Sequence, residues 1–297
     1  MVLQYEEWAP SPALRDVVTA YWGVDGDGRE APSPAILPDG HVELVFNLGD
    51  PVALSGPAFT GDQPPRVVVG SLSRTVRMEF RGRVRTFGIR FHPARGAGFF
   101  GRAGTDLVDR LAPLAEIDDR LDDAIRGLAL ERADLATERA RAPLDRLLAE
   151  HARASPPADA AIVALVDRIR ESPASPRVDA LARELGISSR HAQRRFLAAV
   201  GMPPKRFARV IRFARLWQLV SMSPAETWAN LAIDHGFADQ AHMIREFRAF
   251  GAEPPARQFS PEWYDATDVQ RLPREEGDAG DARDVRSVQD RNRRRRK

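Results

Sequence analysis

Apolar and polar residues alternate over three stretches in the first hundred positions. Val42, Leu44, Phe46 and Leu48 lie two apart after the turn signal Pro38-Asp39-Gly40, which gives an extended strand one apolar face. Val76, Met78 and Phe80 repeat the pattern, and Phe87, Ile89 and Phe91 repeat it again beyond Arg81-Gly82. This order predicts a hairpin with a longer loop or bulge between the last two strands, within an antiparallel sheet or small barrel. From Thr105 to His151 the period changes, with Leu121, Ile125 and Leu128 at helical spacing. Helices here are expected to brace the sheet or to pair two subunits.

Ala154-Ser155-Pro156-Pro157 interrupts the helical pattern, because proline lacks the amide donor and disfavours helix in the residue before it. The chain is therefore expected to divide into an N-terminal regulatory domain over 1–153, a second domain over 158–265 and a charged tail over 266–297. The tail is poor in large apolar residues and ends in Arg293-Arg294-Arg295-Arg296-Lys297, a composition that predicts disorder.

Between 176 and 260 the chain repeats itself at a spacing of about fifty residues: Leu181, Ala182 and Gly186 return as Leu231, Ala232 and Gly236. In the first copy Val178, Leu181, Ala182 and Leu185 form one apolar stripe on a short helix. Gly186 ends that helix, and Ser188 or Ser189 can cap the next one through its hydroxyl. The second helix carries Ala192, Phe196 and Ala199 on its inner side and stops before Gly201. Helix, glycine turn and capped helix make a helix-turn-helix. At 100° per residue, Arg190, Gln193 and Arg194 face outward near the N-terminal end, where a recognition helix meets base edges in the major groove. Arginine can donate two parallel bonds to guanine, and glutamine can donate to and accept from adenine.

The second copy runs from Trp228 through Gly236-Phe237 and Ala238-Asp239 to a helix burying Met243, Phe247 and Phe250. Its outward face carries Ala241, Arg245 and Arg248, with Gln240 in the first turn and His242 on the flank. Arg245 corresponds by helical phase to Arg194. Joining the copies, a helix is predicted from Pro204 to about Ser221. Phe207, Val210, Ile211, Ala214 and Trp217 form its apolar face, and Lys205, Arg209 and Arg212 a basic one. Such a helix would fix the two units so that their recognition helices enter successive major-groove segments roughly 34 Å apart. Base reading is assigned to Arg190, Gln193, Arg194 and Arg245, and phosphate or flanking contact to Ser189, Lys205, His242 and Arg248. The fold class is α+β, a β-rich N-terminal domain with flanking helices followed by an all-α domain of two helix-turn-helix units joined by a long helix.

Charge adds direction to this picture. The net formal charge of +2 hides 18 basic against 23 acidic residues over 1–150 and 13 against 8 over 176–262. Only the second half is suited to a polyanion. The chain has no cysteine, which excludes disulfides, thiolate zinc sites and cysteine nucleophiles. It also has no long apolar run and no leader-like start, so a cytoplasmic location is expected.

These residues resemble the AraC/XylS family of bacterial transcription regulators. The match covers about 160 to 259 and rests on Gly186, Phe196, Gly201-Met202, Ala232, Gly236-Phe237-Ala238-Asp239-Gln240 and Phe247. The resemblance implies two helix-turn-helix units joined by a long helix, with Arg190, Gln193, Arg194, Gln240 and Arg245 as the base-facing positions. The chain departs from the pattern near its end, where Phe247 to Gly251 is one residue short and Gln258-Phe259 stands in place of an aromatic-arginine pair. Tyr21-Trp22, Leu37-Pro38-Asp39-Gly40 and Gly88-Ile89-Arg90-Phe91 with Pro93 look like a domain often fused to such modules. Duplex DNA is the expected partner; a small-molecule effector, a second copy of the chain and RNA polymerase are further ones. No cofactor, metal or catalytic group is expected.

The alternative is an N-terminal enzyme or metal-binding module. His41, Glu43 and His92 have a suitable ligand composition, but their spacing makes no compact metal motif, and His41 and Glu43 are expected to face away from Val42 and Leu44. Pro38-Asp39-Gly40 reads as a turn rather than a catalytic aspartate. Trp8, Tyr21 and Trp22 read as core. RNA recognition would call for aromatic stacking surfaces that the outward faces lack.

Overall fold

The structure, a computed structural model, describes residues 3–29, 35–57, 59–130, 133–172, 176–222, 237 and 239–251. Trp228, Leu231, Ala232 and Gly236 of the second repeat, Ala238, Gln258-Phe259 and the charged tail lie outside the described residues.

The first part of the chain forms strands β1 (Gln4–Trp8), β2 (Val18–Asp27), β3 (Ala35–Ile36), β4 (Glu43–Asn47), β5 (Val52–Ser55), β6 (Thr60–Asp62), β7 (Arg66–Val69), β8 (Val76–Phe80), β9 (Arg83–Phe91) and β10 (Leu111–Pro113). They make a six-stranded sheet in the order β1-β2-β9-β4-β7-β10 and a four-stranded sheet in the order β3-β8-β5-β6. Neighbouring strands in both sheets are antiparallel. Alternation along β4 divides two cores. Leu44 and Phe46 point with Phe87 and Ile89 into one face, whereas Val45 joins Val52, Leu54, Val67 and Val76 between the sheets.

The hairpin expected across Arg81-Gly82 is not formed. Strand β8 pairs with β3 and β5, and β9 pairs with β2 and β4 in the other sheet. Alternation identifies a strand and its buried face but does not name its partner. The link crosses between sheets at Asp50, whose carboxylate accepts the Arg83 amide at 2.7 Å.

Short helices α1 (Gly96–Phe99), α2 (Gly104–Leu107) and α3 (Leu114–Ile117) follow, then α4 (Asp119–Arg126) and α5 (Glu138–Ala154). Leu121, Ile125, Leu144 and Leu148 bury against the larger sheet, so these helices brace it. Tyr21, fully buried there, donates its hydroxyl to Asp145 at 2.6 Å. Helix α5 ends at Ala154, and α6 (Ala160–Glu171) starts beyond the prolines. The remaining elements among the described residues are α7 (Val178–Glu184), α8 (Ser189–Val200), α9 (Pro204–Met222) and α10 (Gln240–Ala249). Their core gathers Ile162, Leu165, Phe196, Phe207, Phe213 and Phe247, and it also takes in Ala94 from the β-rich part.

Candidate nucleic-acid interface

Gly186 makes the turn of the first unit. Its φ of 71° is the left-handed conformation in which a Cβ is strained, and it lets Ile187 N donate to Ala182 O at 3.0 Å. Ser188, rather than Ser189, is the cap, its hydroxyl accepting from His191 N at 3.4 Å. Helix α8 then buries Ala192, Phe196 and Val200. Arg190, Gln193 and Arg194 are exposed, and Ser189 is half-buried at the first helical position.

The same construction recurs in α10. Asp239 caps it by accepting from His242 N at 2.6 Å, Met243 and Phe247 are buried, and Gln240, Arg245 and Arg248 are exposed. Arg194 and Arg245 each stand two residues before the fully buried phenylalanine of their helix, Phe196 and Phe247. His242 is half-buried with its ring edge-on to Phe237, centroids 5.5 Å apart.

Helix α9 holds both α8 and α10 through aromatic contacts. Phe207 meets Phe196 at 5.4 Å, and Phe213 meets Phe247 at 5.1 Å and Phe250 at 4.7 Å. Phe213 and Leu216 are fully buried although they lie off the apolar stripe read from the sequence, because α9 is packed on more than one side.

Its expected basic face survives only in part. Lys205 is exposed, but Arg209 donates Nε and Nη2 to Glu246 of α10 at 3.0 and 2.8 Å. Arg212, mostly buried, lies 3.6 Å from the same carboxylate and over the Phe237 ring at 4.5 Å. Burial would raise the Glu246 pKa, but the two guanidiniums hold it below the usual carboxylate range. These arginines position α10 on α9. Arg195 holds α8 in the same way: it donates two bonds to Asp159, which also caps α6 through the amides of Ala161 and Ile162. Asp159 before an apolar helical run was a legible cap signal; its second partner was not.

His41 and Glu43 do face away from Leu44, but into a buried polar cluster rather than onto the surface. Arg90 donates Nε to Glu43 and Nη1 to Glu7, both at 2.8 Å, and Trp22 donates to Glu43 at 3.2 Å. His41 Nδ1 lies 3.1 Å from Asp39, and burial, opposed by Asp39, brings its pKa down to about 4. Asp39 belongs to a turn, accepting from His41 N at 3.0 Å. His92 turns instead to Asp167 of α6, Nε2 to Oδ1 2.9 Å. Among the described residues no group of three His, Asp or Glu side chains could hold a metal ion, and no helix is long and apolar enough to cross a membrane.

Residues 181–259 match a helix-turn-helix domain family, and residues 6–113 match a domain of unknown function, DUF6597. No curated protein matches the chain. Among solved structures, ToxT from Vibrio cholerae is similar at 8% identity and a TM-score of 0.45, covering 86% of this chain and 97% of that one. An apo ToxT variant from V. cholerae strain SCE256 is similar at 12% identity and a TM-score of 0.44, covering 80% and 96%. The AraC-like transcriptional activator CuxR is similar at 14% identity and a TM-score of 0.27, covering 72% and 86%. Over residues 181–259 the chain therefore carries a domain of the helix-turn-helix type.

Proposed function

We propose that one copy of the chain reads duplex DNA with two recognition helices, α8 and α10, placed in adjacent major-groove segments. Arg190, Gln193 and Arg194 read bases in one segment, and Gln240 and Arg245 in the other. Ser189, Lys205, His242 and Arg248 contact phosphates or flank the site. The observation that supports this most is the exposure of Arg194 and Arg245 at matching positions, with the opposite stripe of each helix buried on the same joining helix. In this reading residues 1–153 form a regulatory domain that responds to a small-molecule effector or pairs with a second copy, and 158–265 form the DNA-binding domain. RNA polymerase is the remaining partner of a cytoplasmic regulator.

Fluorescence anisotropy of the full chain on a labelled duplex tests this, with unlabelled duplex and RNA of the same sequence as competitors. Duplex should bind at low salt, weaken linearly in log affinity against log salt, and compete better than RNA. No duplex binding at low salt, or equal competition by RNA, would overturn it.

A further inference from the structure

The two recognition helices share more than the joining helix, because both of their C-terminal ends rest on the β-rich part of the chain. At the end of α8, Gly201 lies backbone against backbone with Gly104, the first residue of α2. A Cβ on Gly104 would stand 2.2 Å from Gly201 N and 2.7 Å from Val200 C, and one on Gly201 would stand 2.4 Å from Gly104 O. Neither backbone can make room for a side chain without the two separating. At the end of α10, Phe250 carries a carbonyl at the helix terminus, where intrahelical partners run out. Buried Thr75 supplies them from outside: its amide and its hydroxyl both donate to Phe250 O, at 2.8 and 2.9 Å.

The segments that make these two contacts are themselves cross-linked. Asp109, just after α2, accepts the Ser73 amide at 2.6 Å on one carboxylate oxygen and the Ser73 hydroxyl at 2.5 Å on the other. Its own amide donates to Ser71 O at 3.1 Å, and Gly70 N donates to Arg110 O at 2.8 Å. To do so Asp109 adopts φ 53°, a left-handed conformation uncommon for a residue with a side chain. Residues 70–75 and 104–110 thus form one bracket, with one arm on the end of each recognition helix. Aromatic contacts along α9 alone would leave the two units a hinge; the bracket closes a second path between them.

We infer that this bracket sets the separation at which the two recognition helices meet DNA, with Gly104, Thr75 and Asp109 as positioning residues that touch no base. The inference rests on the proposed reading of α8 and α10. It makes the β-rich part a determinant of half-site spacing, in addition to any sensing role.

Selection from a random duplex pool by the full chain tests it, comparing wild type with Gly104→Val, which must part the two backbones, and with Asp109→Gly. The second variant removes both Ser73 bonds, suits the left-handed backbone and carries the test if the first does not fold. Wild type should enrich two short segments at one separation. The variants should enrich the same two segments, with at least a threefold larger share of sequences at other separations. Both segments at an unchanged single separation in the variants would overturn the inference. Failure of the wild type to enrich paired segments would instead overturn the reading of the helices, and the inference with it.

Discussion

Arg209 and Glu246 clamp α9 to α10 through two parallel bonds of 3.0 and 2.8 Å. Glu246 is the partner of Arg212 as well, so its carboxylate compensates two guanidiniums, one of them mostly buried. Changing Glu246 to Gln should destabilise the protein by about 1–3 kcal/mol, read as a lower urea midpoint at unchanged slope. Arg209→Ala should weaken DNA binding by letting α10 shift, while leaving the salt dependence as in wild type. A loss of about one unit of salt slope would mean that Arg209 contacts phosphate instead.

Gly186 offers a test of the first turn that is free of packing. A Cβ there meets nothing within 4 Å, so any penalty comes from holding φ at 71°. Gly186→Ala should cost about 1–2 kcal/mol, and Gly186→Asn less, because asparagine tolerates the left-handed region. Urea midpoints falling in the order Gly, Asn, Ala are expected; equal midpoints for the three proteins would contradict the turn assignment.

The buried His41 should give the β-rich part a signature in mild acid. Burial lowers its pKa from 6.5 to about 4, with Arg170 and Arg90 adding repulsion and Asp39 opposing them. The unfolded chain then binds a proton that the folded chain refuses, so stability is complete above about pH 6.5 and is lost as pH falls towards 4. Relative to His41→Gln, which is neutral throughout, wild type should lose about 3 kcal/mol across that window. Urea unfolding of both proteins across it measures the difference, and parallel pH profiles would contradict it.

The contrast between Arg194 and Arg209 shows what the sequence could and could not reveal. Both lie on the polar side of an amphipathic helix, and phase alone treats them alike. The exposure of Arg194 was legible because the repeat supplied a second example at the same offset from a buried phenylalanine. The ion pair of Arg209 was not, because its partner, Glu246, sits 37 residues away on a helix whose orientation no local pattern encodes. The same limit explains the sheet. Alternation revealed the strands around Val45, Met78 and Ile89, whereas their pairing depends on contacts distant in sequence. Alternation placed His41 and Glu43 on the side away from Leu44, but that this side is covered depends on distant residues, Glu7 of β1 and Arg170 of α6. Gly104 and Thr75 carried no signal, since backbone contact between distant segments leaves no periodicity.

Lys205 and the two matched arginines should separate by the kind of contact they make. Lys205 is exposed in the first turn of α9 and lies off both recognition helices. Lys205→Ala should weaken all duplexes nearly equally and reduce the salt slope by about one unit. A change in base preference would move Lys205 into the reading surface.

The central claim is that Arg194 and Arg245 each read a base edge, one on each recognition helix. Binding-site selection with wild type, Arg194→Ala and Arg245→Ala, each confirmed as folded, tests it most directly. Each substitution should cost about 1–3 kcal/mol and relax preference at its own base pairs, the two affected positions lying about one helical turn apart. If both variants keep the wild-type base preference at every position, the exposed faces of α8 and α10 are not the reading surfaces.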